Sequence, residues 1–198
     1  MKLRILVDLD ECVFDFIGQF IKVYKEKTGK ELYMHDFTEW NLVELFGEVS
    51  LDCFSNSEFF ENLLPFRGAV ESLKRMNENY ELFIATNAMN NSKIVEGKMK
   101  SIKRHLPFID ENNIFFTGRK YDISADIMID DCPEYLQKFE LFTIAMDRPY
   151  NKKIYTHFRI LNNDWNAIEE YCAKIKKIIN SYEFNLRKYD YNKNKSVH

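Results

Sequence analysis

The sequence predicts an α/β fold: a three-layer, Rossmann-like parallel sheet with a small helical cap inserted after its first strand. Three observations carry that prediction. Short apolar, β-branched runs recur along the chain, each suited to a strand buried on both faces. Amphipathic segments separate them, which is the alternation of a parallel sheet covered by helices. The alternation fails once, between the first run and Pro65, where an aromatic-rich stretch follows an acidic strand end.

Leu3 to Val7 is the first strand. From Phe16 the period becomes helical, with Phe16, Ile17, Phe20, Ile21 and Tyr24 on one stripe and Gly29 as the expected C-cap. Residues 30–64 carry Tyr33, Phe37, Trp40, Phe46, Phe54, Phe59 and Phe60 and read as short helices and loops. Pro65 to Gly68 opens a helix with Val70, Leu73 and Met76 inward. Leu82 to Ala85 is a second buried strand, ending at Thr86. A cationic helix from about Ser92 to His105 follows, then strands at Asn113 to Phe116 and Ile127 to Ile129, the latter ending at Asp130-Asp131. Pro133 suits the first turn of a short helix. Leu141 to Met146 and Phe158 to Leu161 complete the strands. Asp164 is placed to cap a last helix reaching about Ile179, and a polar tail from Glu183 either extends that helix or frays. The expected division is a core of residues 1–14 and 66–182, a cap of 15–65 and a tail of 183–198.

Composition narrows the function. The chain has 198 residues and a formal charge of −3, from 28 Lys and Arg against 31 Asp and Glu. That balance argues against a protein that coats nucleic-acid polymers. Cys12, Cys53, Cys132 and Cys172 show no Cys-x-x-Cys spacing, so neither a zinc site nor a disulfide framework is expected. No apolar run approaches a membrane span and no signal-peptide pattern is present. These features predict a cytoplasmic protein with no membrane partner. Six Gly leave little room for a glycine-rich phosphate cradle, while 17 Phe, 11 Tyr and 2 Trp give an aromatic surplus.

Ligands of open parallel sheets bind beyond the carboxyl ends of the strands. The first strand delivers Asp8 and Asp10 there, the second Thr86 and Asn87, and the fourth Asp130 and Asp131, with Lys120 in the preceding loop. Carboxylates gathered at one edge repel one another unless a cation joins them, and Mg²⁺ suits one or two carboxylates plus phosphate and water. Lys120 and Thr86 offer a phosphate charge and a donor. The set suits phosphoryl transfer to a carboxylate, with a second carboxylate two residues on as acid and base.

The order Asp-x-Asp, Thr, Lys, Asp-Asp, each beside a strand, resembles the haloacid dehalogenase superfamily of phosphatases. Residues 8–16, Asp-Leu-Asp-Glu-Cys-Val-Phe-Asp-Phe, and 59–70, Phe-Phe-Glu-Asn-Leu-Leu-Pro-Phe-Arg-Gly-Ala-Val, are similar to motifs of the 5′(3′)-deoxyribonucleotidases. So are Phe83 to Asn87 and Gly118 to Asp131, and the match extends from about residue 3 to 147, plus Trp165. The resemblance implies a magnesium-dependent phosphomonoesterase acting on (deoxy)nucleoside monophosphates through an aspartyl-phosphate. It implies Asp8 as nucleophile and metal ligand, and Asp10 as acid/base with its backbone carbonyl on the metal. It implies Asp131 as a further metal ligand, Asp130 in support, and Thr86, Lys120 and neighbouring Asn87 around the phosphate. Phe16, Trp40 and Phe54 become the candidates for contact with base or sugar.

The sequence also departs from that pattern. Glu11 and Cys12 stand where the family carries Gly and a small apolar residue, and Glu11 is expected either to crowd an anionic substrate or to point outward. Asn87-Ala88 replaces a more hydroxyl-rich pair, which alters one phosphate contact. Two alternatives follow. One is a phosphatase of the same superfamily for another small phosphomonoester. The other is a non-catalytic phospho-acceptor or regulatory protein, against which the order of the acids and the inserted cap both argue.

Overall fold

The structure is a computed structural model that describes residues 2–195, with side chains through 182. Six strands form one sheet: β1 (Arg4–Val7), β2 (Glu81–Thr86), β3 (Ile114–Phe116), β4 (Ile127–Asp130), β5 (Phe142–Met146) and β6 (Phe158–Ile160). All pairings are parallel and the order is 3-2-1-4-5-6. In that doubly wound order the chain leaves β1 in opposite directions, which opens a crevice beyond the carboxyl ends of β1 and β4.

Alternation along each strand builds two cores. Ile5, Val7, Ile84, Ile127 and Ile129 face one side, where Leu73, Ile102, Ile168 and Ile175 cover them. Leu6, Ala85 and Met128 face the other, against Tyr135 and Phe139. The larger layer holds α5 (Ala69–Asn79), α6 (Ser92–His105) and α8 (Trp165–Lys195), and the smaller holds α7 (Pro133–Lys138). Among the described residues no helix is long and apolar enough to cross a membrane.

Between β1 and α5 the chain makes α1 (Phe16–Thr28), α2 (Leu42–Phe46), α3 (Glu48–Phe54) and α4 (Ser57–Glu61). Asp15 caps α1 through Gly18 N (2.8 Å), and Gly29 ends it in the left-handed conformation, φ 72°. Asn41 and Asn56 cap α2 and α4. Most aromatics of this insert make its own core: Phe20 packs on Phe37 at 5.9 Å and on Phe46 at 5.3 Å. The insert docks on the sheet layer where α4 crosses α6 at Gly97. A Cβ there would overlap the Ser57 carbonyl and lie 2.8 Å from Phe60 Cβ, so the close approach requires glycine.

Of the two outcomes expected for the tail, extension of the last helix is the one found: α8 runs past Ile179 through Lys195, and residues 165–195 contain neither Gly nor Pro to end it. The predicted tail at 183 thus continues α8 as far as Lys195, and residues 196–198 lie outside the described chain.

Candidate active site

Strand ends assemble the site. Asp8 N donates to Ile129 O at 3.0 Å, which prolongs the β1–β4 ladder by one residue and sets Asp8 beside Asp130 and Asp131. Thr117 N donates to Thr86 O at 3.0 Å and leads the chain from β3 to Lys120. All of the predicted residues Asp8, Asp10, Thr86, Asn87, Lys120 and Asp131 line one cleft of ≈ 810 Å³ including its mouth.

Lys120 is the hinge of the charge arrangement. Its ammonium lies 2.6 Å from Asp8 Oδ1 and 2.8 Å from Asp130 Oδ2, and all three side chains are buried. Burial alone favours a neutral amine, but Asp130 and Asp8 outweigh it and hold the pKa well above the usual lysine value. Asp130 takes no place on the cleft wall. It holds Lys120 and accepts from Cys132 N at 2.8 Å, and burial pushes it up to about 6 against the pull of Lys120.

The carboxylates fit a hard cation. Ligand atoms of Asp8, Asp131 and Cys12 lie within 4.8 Å of one another. Burial, Asp130 and Asp8 together push Asp131 well above the usual carboxylate range. Asp10 adds a buried Oδ1 with no hydrogen-bond partner. Carboxylate oxygens of two aspartates on the cleft wall suit Mg²⁺. Burial and the neighbouring aspartates push the Cys12 thiol well above its ordinary value.

The three aromatic candidates also reach the cleft. Phe16 and Phe54 stack at 6.2 Å, and Trp40, 43% exposed, meets the edge of Tyr135. Leu42, Val43 and Met89 join them on the wall. Asn87 sits beside Thr86 as expected, its amide donating to Tyr135 Oη at 3.2 Å.

Glu11 corrects its expectation. It does not point outward: the residue lines the cleft, and its carboxylate is turned into a buried ion pair. It is buried, accepts from Ile17 N at 2.6 Å and pairs with Arg148 Nε at 2.6 Å. An exposed or substrate-facing carboxylate would lack both partners.

Sequence reasoning missed three further groups. Lys98, buried on α6, places Nζ 2.7 Å from Asp10 Oδ2, 2.7 Å from Thr86 Oγ1 and 2.7 Å from Asn87 O. Its signal was present: it falls four residues from both Ile94 and Ile102, a lysine on the apolar stripe of its helix. Tyr150 donates to Asp131 Oδ2, and Asn151 Nδ2 donates to Asp131 O at 2.8 Å. Their signal was the polar run Asp147 to Asn151 directly after β5, at the ligand-binding edge of the sheet.

Comparison with known proteins places the chain by family and fold. The family described as "5' nucleotidase, deoxy (Pyrimidine), cytosolic type C protein" matches residues 2–178. A Staphylococcus epidermidis relative, provisionally named a 5′(3′)-deoxyribonucleotidase, is 30% identical over 177 residues, covering 88% of this chain and 98% of the relative. The 5′(3′)-deoxyribonucleotidase of Bacillus subtilis is 27% identical over 171 residues, 85% of this chain and 98% of its own. Among solved structures, a haloacid dehalogenase-like hydrolase from Streptococcus pneumoniae superposes with a TM-score of 0.59 at 11% identity, over 86% of this chain and 98% of that one. A magnesium-bound haloacid dehalogenase-type hydrolase from Bacillus subtilis superposes at 0.55 and 16%, over 86% and 98%. These structures share the fold.

Proposed function

This chain belongs to the deoxy (pyrimidine), cytosolic type C 5′-nucleotidase family of the haloacid dehalogenase superfamily and is a phosphomonoester hydrolase, and from that premise we propose that it dephosphorylates (deoxy)nucleoside monophosphates through a phosphorylated Asp8. The observation that carries the reading is one cleft in which Asp8, Asp131, Lys120 and Thr86 face a wall of Phe16, Trp40 and Phe54. Phosphate chemistry and a flat apolar partner for a base meet there.

Each side chain has a role that follows from its surroundings. Lys120 holds one oxygen of Asp8 and fixes the carboxylate for in-line attack on phosphorus. Thr86 and Lys120 donate to the phosphate oxygens. Asp10, whose carboxyl is pushed upward by burial more than Lys98 draws it down, is suited to carry the proton that the departing ester oxygen takes. Once the nucleoside has left, Asp10 accepts a proton from the water that attacks phosphorus, and phosphate leaves Asp8. Mg²⁺, held by Asp8, Asp131 and the Asp10 carbonyl, supplies charge neutralisation for the phosphoryl group when bound. Tyr150 and Asn151 fix Asp131 from behind. In this reading residues 15–65 are a cap, and residues 1–14 and 66–182 the core.

The test is phosphate release with Mg²⁺ from a panel of deoxy- and ribonucleoside monophosphates, sugar phosphates and an aryl phosphate, run for wild type and Asp8→Asn. Nucleotides should lead the panel, and Asp8→Asn should lose at least about 1,000-fold in kcat. A panel led by sugar phosphates would move the substrate. No turnover of any ester would end the enzymatic reading.

A further inference from the structure

Glu11 occupies a backbone position that favours glycine: its φ is +58°. A side chain there costs about 1–2 kcal/mol, so something must hold it. Four bonds do. The carboxylate accepts from Ile17 N at 2.6 Å, in the first turn of α1, and from Arg148 Nε at 2.6 Å. Arg148 Nη2 donates to the Glu11 carbonyl, and to Asn163 Oδ1 at 2.7 Å, just before α8. The guanidinium lies 5.5 Å over the ring of Phe66. Both partners are about as buried as the core, at 4% and 3% side-chain exposure.

The position of Arg148 gives the pair its meaning. Two and three residues on, Tyr150 and Asn151 hold Asp131. One residue before Glu11 lies Asp10, and three before it Asp8. The bidentate contact therefore joins the loop after β1 to the loop after β5, and so fixes the Asp8–Asp10 segment against Asp131.

We propose that Glu11 and Arg148 form a positioning strut that sets the Asp8–Asp10 loop, and the first turn of α1, in register with Asp131. The proposal rests on the phosphatase reading above. Neither residue touches the reacting atoms. A strut of this kind acts on kcat, since a misplacement on the order of 1 Å between reacting groups costs up to about 100-fold.

Two variants test it. Arg148→Lys keeps the charge but has no planar fork to reach the Glu11 carboxylate, the Glu11 carbonyl and Asn163 together. Glu11→Gln/Arg148→Met removes both charges, and so avoids leaving one of them buried without its partner. Each is measured in two ways: kcat and KM on the best nucleotide, and amide hydrogen exchange over residues 9–17 of the intact protein. The expected result in both variants is a kcat lowered about 10- to 100-fold, KM changed less than about threefold, and faster exchange in that segment. A folded Arg148→Lys with wild-type kcat overturns the strut, whatever its thermal midpoint. So do both variants retaining wild-type exchange over residues 9–17. A wild type inactive on every phosphomonoester sinks the functional reading alone, and the exchange comparison still decides the strut.

Discussion

The ammonium of Lys98 lies 2.7 Å from Oδ2 of Asp10 and spends its other two donors on Thr86 Oγ1 and Asn87 O, each at 2.7 Å. Because Thr86 accepts from Lys98, its own hydroxyl hydrogen is left to point at a phosphate. Asp10 is pinned through Oδ2, and its other oxygen, Oδ1, is buried without a partner. On the proposed mechanism, Lys98 orients Asp10 and Thr86. Lys98→Met should fold and lose about 100-fold in kcat. Lys98→Arg should not restore it, since a planar fork does not present three donors to three separate acceptors. Unchanged kcat in a folded Lys98→Met would remove Lys98 from the mechanism.

If the cleft binds a nucleotide as proposed, Trp40 is the residue that tests base recognition apart from chemistry. It is 43% exposed and touches the core mainly at the edge of Tyr135, so its truncation leaves the fold intact. A stacked base is worth about 1–3 kcal/mol. Trp40→Ala should therefore raise KM for nucleotides roughly tenfold and leave aryl-phosphate hydrolysis unchanged. Steady-state kinetics on both substrates reads the difference, and equal losses would exclude stacking on Trp40. Phe54 is the less clean probe, because it packs on Phe16 at 6.2 Å within the insert.

These residues also show where sequence reading reaches and where it stops. Strand ends with acids at fixed spacing announce themselves, because a parallel sheet sends all such residues to one edge; Asp8, Asp10, Lys120 and Asp131 were legible for that reason. The predicted strands likewise recur within a residue or two, since strands buried on both faces need unbroken apolar runs. Lys98 and Arg148 were not legible as site residues. Each is defined by a partner remote in sequence: Lys98 by Asp10, and Arg148 by Glu11, 137 residues away. Periodicity places a side chain on a face but does not name what it meets there. Glu11 failed for the same reason: the carboxylate was visible, while Arg148 that draws it inward was not.

Glu169 gives the fold a pH signature independent of the site. It ties α8 to α5, accepting from Ser72 Oγ at 2.6 Å and from Arg75 Nε at 3.2 Å. Burial raises its pKa, but the hydrogen bonds of Arg75 and Ser72 and the Arg75 charge outweigh it and leave the value lowered from 4.5. A carboxylate lowered on folding stabilises fully above its unfolded pKa and loses that contribution as pH falls through the folded one. Glu169→Gln should cost about 1 kcal/mol at neutral pH, with the gap to wild type closing in acid below the folded pKa. Urea unfolding at several pH values checks this, and a gap that widens in acid would contradict it.

Metal removal should show in stability as well as turnover. The carboxylates of Asp8 and Asp131 approach within 4.8 Å, and two such charges repel by about 3 kcal/mol at an effective dielectric of ~20. A divalent cation removes that repulsion and adds its own binding free energy. At ten times its dissociation constant, Mg²⁺ stabilises by about 1.4 kcal/mol, or roughly 3–6 °C in thermal midpoint for a domain of this size. Asp131→Asn keeps an acceptor for Tyr150 and deletes one of the two charges. In chelator the variant should therefore be at least as stable as wild type, yet show no Mg²⁺-dependent shift and little hydrolysis. Thermal scans of both proteins with chelator and with Mg²⁺ decide the matter: a wild-type shift retained in Asp131→Asn would place the ion elsewhere.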